Sequence, residues 1–165
     1  MKIHPTHAAV YIPPPVIGIL IFLLSIGIQK YFPIGHHLFH STILIITGWL
    51  FIIIALSFGM SGIFRFLRTN NTVETFKAAS SLQTTGIYTI SRNPMYVGLV
   101  CLYTGLSLLI GNWWTVIFIA VFIFILQEYV IRREERYLRY AFGEQYISYT
   151  RRVRRWIGRK KKASR

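Results

Sequence analysis

The sequence predicts an all-α polytopic membrane protein, with four transmembrane helices followed by a cytosolic amphipathic C-terminal helix. Three observations carry this expectation. The 165-residue chain is 53% hydrophobic with a mean hydropathy of +0.46, above the range of soluble domains. Four segments approach or exceed the roughly 20 apolar residues needed to cross the hydrocarbon core of a bilayer. A four-helix arrangement also places 18 of the 19 lysines and arginines on one side, as the positive-inside rule requires.

The first span, 15–32, has an apolar core long enough for a secretory signal. No small-residue cleavage site follows it and three more apolar segments do, so it reads as a retained helix. The second, 41–64, carries no charge. The third, 95–111, is short and borrows length from the interface or from a thinned region. Gly111-Asn112 makes a tight turn, after which the fourth span, 113–131, returns antiparallel. With an even number of spans, Lys2, the loop 65–92 and the tail from Arg132 share one side, and only Lys30 lies opposite. Both termini are therefore expected in the cytoplasm, with the chain in the plasma (inner) membrane.

Between the second and third spans, Asn70-Asn71-Thr72, Ser80-Ser81 and Thr84-Thr85-Gly86 supply turn and capping residues, leaving room for one short interfacial helix over 73–82. After the fourth span, Leu138, Phe142, Tyr146, Tyr149, Val153 and Trp156 recur at steps of four and three residues. They trace one helical face opposite a basic one, the pattern of a lid lying on the membrane surface.

The net charge of +14 and the basic runs Arg151-Arg152-Val153-Arg154-Arg155 and Arg159-Lys160-Lys161-Lys162 invite a nucleic-acid reading. For a juxtamembrane tail the simpler partner is anionic membrane lipid, at about 1 kcal/mol per basic residue near the surface, and no nucleic-acid partner is expected. Trp113, Trp114 and Trp156 fall where interfacial aromatic belts fall. Cys101 is the single cysteine, which excludes a disulfide framework and a cysteine zinc site. His36 and His40 have helical i, i+4 spacing but no obvious third ligand, so no metal is expected. Dinucleotide and phosphate-loop glycine motifs and the serine nucleophile elbow are also missing.

Chemistry is concentrated at the ends of the second hairpin. In Arg92-Asn93-Pro94 the proline suits a first helical turn and Asn93 suits an N-cap. Capping does not explain Arg92, a cation beside a helix N-terminus that already favours anions. The combination makes a carboxylate or phosphate site. At the other end, Glu134 and Glu135 stand at a helix C-terminus, an unfavourable place for carboxylates. Local pairing of Glu135 with Arg132 and Arg139 is one explanation. Because neighbouring residues are about 100° apart around a helix, one glutamate is expected to face the site and the other to pair with arginine. Gln127 and Glu128 lie deeper in the fourth span, where polarity implies a polar cleft.

Arg92-Asn93-Pro94-Met95-Tyr96 with Gly98, a hydrophobic hairpin, Glu134-Glu135 and Phe142-Gly143-Glu144-Gln145-Tyr146 together closely resemble the isoprenylcysteine carboxyl methyltransferase and phospholipid methyltransferase family. The resemblance covers about residues 84–156. It implies an integral membrane enzyme that transfers a methyl group from S-adenosylmethionine to a lipophilic, membrane-resident acceptor. The order of spans divides the chain into an N-terminal transmembrane hairpin (1–64), a cytosolic connecting loop (65–94), a transmembrane hairpin of the catalytic core (95–131) and a cytosolic helical lid with a polybasic tail (132–165), all within one domain. Arg92, Asn93 and Glu135 are then the catalytic candidates. Gly86, Tyr88, Arg92, Asn93, Pro94, Tyr96, Gly98, Gln127, Glu134, Glu135, Tyr146 and Tyr149 are the candidates for holding the cofactor. The donor carries a carboxylate, an ammonium, ribose hydroxyls, adenine and a sulfonium, so it calls for anion donors, a carboxylate and aromatic faces. Enzymes of the family that act on prenylated cysteine usually have histidine where this chain has Asn93. Two other readings fit the same features: an NADPH-dependent membrane reductase of the sterol-reductase type, and a non-enzymatic helical membrane protein with a lipid-binding basic tail.

Overall fold

The computed structural model describes residues 9–35, 41–68 and 81–160, and its described part is helical, with a single isolated bridge between Val153 and Arg159. The helix expected over 73–82 and the pair His36 and His40 lie wholly or largely outside the described residues. Helix α1 is Pro14–Tyr31, α2 is Thr42–Arg68, α3 is Pro94–Ile110 and α4 is Trp113–Ile125; a π-helical turn, Leu126–Ile131, leads without interruption into α5, Arg132–Arg152. A 3-10 turn, Gly86–Thr89, precedes α3.

Three helical stretches are long and apolar enough to cross a membrane: Pro14–Tyr31, Thr42–Ser61 and Trp113–Arg152. The sequence suggests a fourth, and α3 occupies its place. At 17 residues α3 rises only about 25 Å, short of the roughly 30 Å hydrocarbon core. The run from Trp113 to the break at Gly143 is about 45 Å long, longer than the roughly 30 Å hydrocarbon core.

Backbone-to-backbone packing joins α2 to α3. A Cβ added at Gly105 would lie 2.7 Å from the Gly48 carbonyl oxygen, and one at Gly98 would lie 3.0 Å from both the Ala55 carbonyl oxygen and the Gly59 nitrogen. Small residues let helices approach in lipid, where no hydrophobic force drives them together. Another face of α2 turns outward, exposing Trp49, Leu50, Ile53 and Leu56.

On the other side α1 packs against α4. Phe122 is fully buried against Gly18 and stacks on Tyr103 at 5.0 Å, and Phe22 meets Tyr103 edge-on at 5.0 Å. The turn between α3 and α4 follows the expectation for Gly111-Asn112. Gly111 closes α3 in the left-handed conformation (φ 69°), and Asn112 Oδ1 caps α4 by accepting from the Trp114 and Thr115 amides at 2.8 and 3.4 Å. These contacts fix the hairpin and so return α5 to the level of the α3 N-terminus.

Two features then aim the end of the chain. The π-helical turn inserts an extra residue into the helical register, a device frequent at functional sites, and so rotates everything C-terminal to it. Gly143 breaks α5 with φ 47° and ψ −126°, a conformation reserved for glycine. The amphipathic face expected to run through Trp156 as one helix is therefore bent at Gly143 and ends at Arg152. Beyond it Val153 is extended and Gly158 (φ 107°) reverses the chain, so residues 153–160 form a hook. Backbone groups that would have extended the helix pair with the loop before α3 instead. Arg92 N donates to Arg154 O at 3.1 Å and Gly158 N to Ile90 O at 2.8 Å, while Arg154 N closes the hook on Gly158 O at 2.8 Å.

Candidate functional site

The loop before α3, α5 and the hook converge on one cluster. Tyr88, Tyr146, Tyr149 and Val153 are buried together, with Leu82, Ile87, Leu138 and Phe142 packed around them. Tyr149 sits one turn after Tyr146, and the ring centroids are 6.3 Å apart. Its hydroxyl donates to the Tyr88 carbonyl at 2.6 Å and reaches the Ser91 carbonyl at 3.4 Å. Gly86, at φ 62°, starts the 3-10 turn that presents Tyr88.

At the centre is an ion triad. Glu135 is buried, at 8% exposure. Arg92 Nη1 lies 3.1 Å from its Oε1. Arg155, from the hook, forks onto the same carboxylate, with Nε 3.0 Å from Oε1 and Nη2 2.6 Å from Oε2. Two guanidiniums on one carboxylate leave one net positive charge. Arg92 Nη1 also donates to the Tyr146 hydroxyl at 3.4 Å, and its buried Nε has no hydrogen-bond partner. A buried, unpartnered donor on a cation is costly, and an anionic group of a ligand would satisfy it.

Glu134 behaves differently from its neighbour. Its Oε1 accepts from the Tyr96 hydroxyl at 2.5 Å, and among the described residues it makes no ion pair. Burial pushes its carboxyl up to about 7, the Tyr96 hydrogen bond acts against this, and the adjacent Glu135 charge adds to it. Burial also pushes the Tyr146 hydroxyl up to about 12, with Glu135 adding to the rise, and raises Tyr88 and Tyr149 strongly. These phenols stay protonated at neutral pH.

Several expectations need correction. Glu135 pairs with Arg92 and Arg155, not with Arg132 and Arg139; Arg132 instead pairs with Glu128 one turn back. The π-helical turn offers the reason, because it turns Glu135 toward the α3 N-terminus. Asn93 stands at the N-cap position but makes no side-chain cap. Its amide donates to the Arg155 carbonyl at 2.9 Å, and its backbone N–H donates to the buried Ser91 Oγ at 3.0 Å. Asn93 thus fastens the hook. Gly98 packs against the α2 backbone, one turn away from the cluster. Pro94 is buried at the first position of α3.

Gln127 lies in the π-helical turn. Its Oε1 accepts from Trp156 Nε1 at 3.3 Å and its Nε2 donates to Glu128 Oε1 at 3.4 Å, so a polar chain extends from the hook toward the membrane-facing helices. Arg155 and Ser91 are residues that sequence reasoning missed. Nothing in the basic run 151–155 separates Arg155 from its neighbours, since only the reversal at Gly158 turns it inward. Trp156, expected in an interfacial belt, also joins this polar chain.

The near end of the chain closes the other flank. Val10 is fully buried beside Leu126, Val130 and Tyr137. Tyr129 Oη accepts from the Tyr11 amide at 3.2 Å, and Arg133 donates to the Ala9 carbonyl at 2.8 Å.

A family model described as phospholipid methyltransferase matches residues 43–145, from α2 to just past the Gly143 bend. A protein of Haemophilus influenzae described as an uncharacterized protein is 35% identical over 63 residues, which are 38% of this chain and 100% of that one. No solved structure matches.

Proposed function

We infer the chemistry from one premise: the chain belongs to the phospholipid methyltransferase family. Membership implies methyltransferase activity and, with three apolar helices of spanning length, a membrane protein. Beyond this, we propose that the donor is S-adenosylmethionine and that the acceptor is lipophilic and reaches the site from the bilayer. The proposal also includes α3 as a fourth span, both termini in the cytoplasm, the plasma (inner) membrane as location, and anionic lipid as partner of the basic tail. It also divides the chain into an N-terminal hairpin (1–64), a connecting loop (65–94), a catalytic-core hairpin (95–131) and a helical lid with a basic tail (132–165).

One observation carries the cofactor reading. A buried arginine with an unpartnered Nε sits in a triad of net charge +1, and the residue next in sequence to the triad's Glu135 is Glu134, a carboxylate that makes no ion pair among the described residues. A ligand that presents a carboxylate and an ammonium from one carbon matches that pair of groups, and this is the amino-acid end of S-adenosylmethionine. When bound, that cofactor supplies an activated methyl group on a sulfonium sulfur for displacement by a nucleophile.

The chain supplies binding, orientation and exclusion of water. Arg92 holds the carboxylate, and Glu134 holds the ammonium. Glu135 orients Arg92. The faces of Tyr88, Tyr96, Tyr146 and Tyr149 receive the adenine or shield a sulfonium by cation–π attraction. Positioning of reactants in a dry site can supply most of the rate. With the tyrosines held protonated, the site favours an acceptor that needs no strong base.

Calorimetry on the purified protein tests this. S-adenosylmethionine is expected to bind, and Arg92→Ala and Glu134→Ala to weaken it about tenfold or more, the scale of a charge-assisted hydrogen bond. Unchanged affinity in both variants would overturn the site. Tighter binding of NADPH would favour the reductase, and binding of neither cofactor would favour a non-enzymatic protein.

A further inference from the structure

We propose that Arg155 is a positioning residue that sets the charge of the site: by occupying Glu135 it keeps Arg92 from being neutralised. The inference rests on the reading of Arg92 as the group that holds the cofactor carboxylate. A carboxylate and a guanidinium left to themselves form a two-pronged pair, which would occupy two donors of Arg92 and cancel its charge. Here the two-pronged pair belongs to Arg155, whose Nε and Nη2 cover both Glu135 oxygens. Arg92 is left a single ionic contact, Nη1 to Oε1, and its Nε stays without a partner.

The hook delivers Arg155 with its backbone fixed. Asn93 Nδ2 holds the Arg155 carbonyl, and the Arg92 N–H holds the carbonyl of Arg154. The same two residues that open α3 therefore grip the segment that carries the competing guanidinium. The loop and the hook form one unit, and the C-terminal segment completes the anion site.

The test compares S-adenosylmethionine with its decarboxylated analogue by calorimetry in intact, purified protein. Arg155→Gln lets Glu135 close on Arg92 and takes the triad from a net charge of +1 to zero. It is expected to weaken the carboxylate-bearing ligand about tenfold and to leave the decarboxylated analogue nearly unchanged. Adding Glu135→Gln restores the net positive charge, so the double variant is expected to bind S-adenosylmethionine more tightly than Arg155→Gln alone. A purely structural role predicts the opposite, with two losses that accumulate and both ligands weakened alike. Arg155→Lys, which keeps the charge, serves where Arg155→Gln does not fold, and is expected to retain most of the discrimination between the ligands. Wild-type protein that binds neither ligand would refute the cofactor reading itself. Wild-type binding with no change in discrimination in Arg155→Gln would overturn the role of Arg155 alone.

Discussion

Tyr96, on the first turn of α3, donates its hydroxyl to Glu134, on the first turn of α5, over 2.5 Å. This bond ties the two ends of the α3–α4 hairpin together and leaves the carboxylate to be ionised or neutral according to pH. Burial, reinforced by Glu135 and only partly opposed by Tyr96, moves its carboxyl from 4.5 to about 7.

The sign of the stability effect follows. A folded-state value above the unfolded one means that the folded chain holds an extra proton between pH 4.5 and about 7. The contribution of Glu134 to stability is therefore complete below pH 4.5 and is lost as pH rises toward 7. Denaturant unfolding of wild type is expected to lose stability across that window, and Glu134→Gln to remove this part of the slope. Cofactor affinity should run the other way, strengthening as pH rises through about 7 because the ammonium requires the carboxylate. An affinity independent of pH would argue against Glu134 as the ammonium partner.

Removing the shared counter-ion of the triad should be severe. Glu135→Ala leaves Arg92, with only 10% of its side chain exposed, as an uncompensated buried charge. Breaking a buried pair this way costs about 3–5 kcal/mol. Equilibrium unfolding in detergent is expected to show a loss of this order, well above that from Arg132→Ala, whose side chain is 56% exposed and pairs with Glu128.

Two glycines should fail for different reasons. At Gly105 a methyl group meets the Gly48 carbonyl at 2.7 Å, so Gly105→Ala forces α2 and α3 apart at a cost of about 1–3 kcal/mol, as for overpacking elsewhere. At Gly143 a methyl group meets nothing within 4 Å. The penalty there is backbone strain at φ 47°, again about 1–3 kcal/mol. Thermal unfolding measures both losses. Gly143→Ala is also expected to weaken cofactor binding, because straightening α5 moves Tyr146 and Tyr149, while Gly105→Ala acts mainly on stability.

Tyr149→Phe removes the hydroxyl that donates to the Tyr88 carbonyl at 2.6 Å. The 3-10 turn then loses its tie to α5, at a cost of about 1 kcal/mol for a neutral hydrogen bond. Hydrogen exchange at residues 86–91 is expected to quicken, with the α1–α4 packing unaffected. No change in exchange would show that the turn is held by other contacts.

Much of this molecule is written in local patterns. Uninterrupted apolar runs identify the helices, because burial in lipid depends on residue type and length alone. Gly111-Asn112 announces the turn between α3 and α4 through a left-handed cap and an N-cap, both set within a few residues. Arg92 stands out because its charge opposes the dipole at the α3 N-terminus. The helix end expected beside Glu134 and Glu135 is absent, since the helix runs on through the π-helical turn into α5 and places both in its first turn. Which glutamate binds which arginine is not local. Glu135 meets Arg92 and Arg155 only because a π-helical turn rotates α5, Gly143 bends it and Gly158 reverses the chain, and each operation acts on residues far along the sequence. Asn93 has the chemistry of a cap, yet it fastens the hook because a carbonyl from residue 155 comes within its reach. The sequence by itself determined that charge is gathered at the ends of an apolar helical hairpin. Only the tertiary structure decided that two arginines share one carboxylate there, since that balance depends on three segments meeting in space.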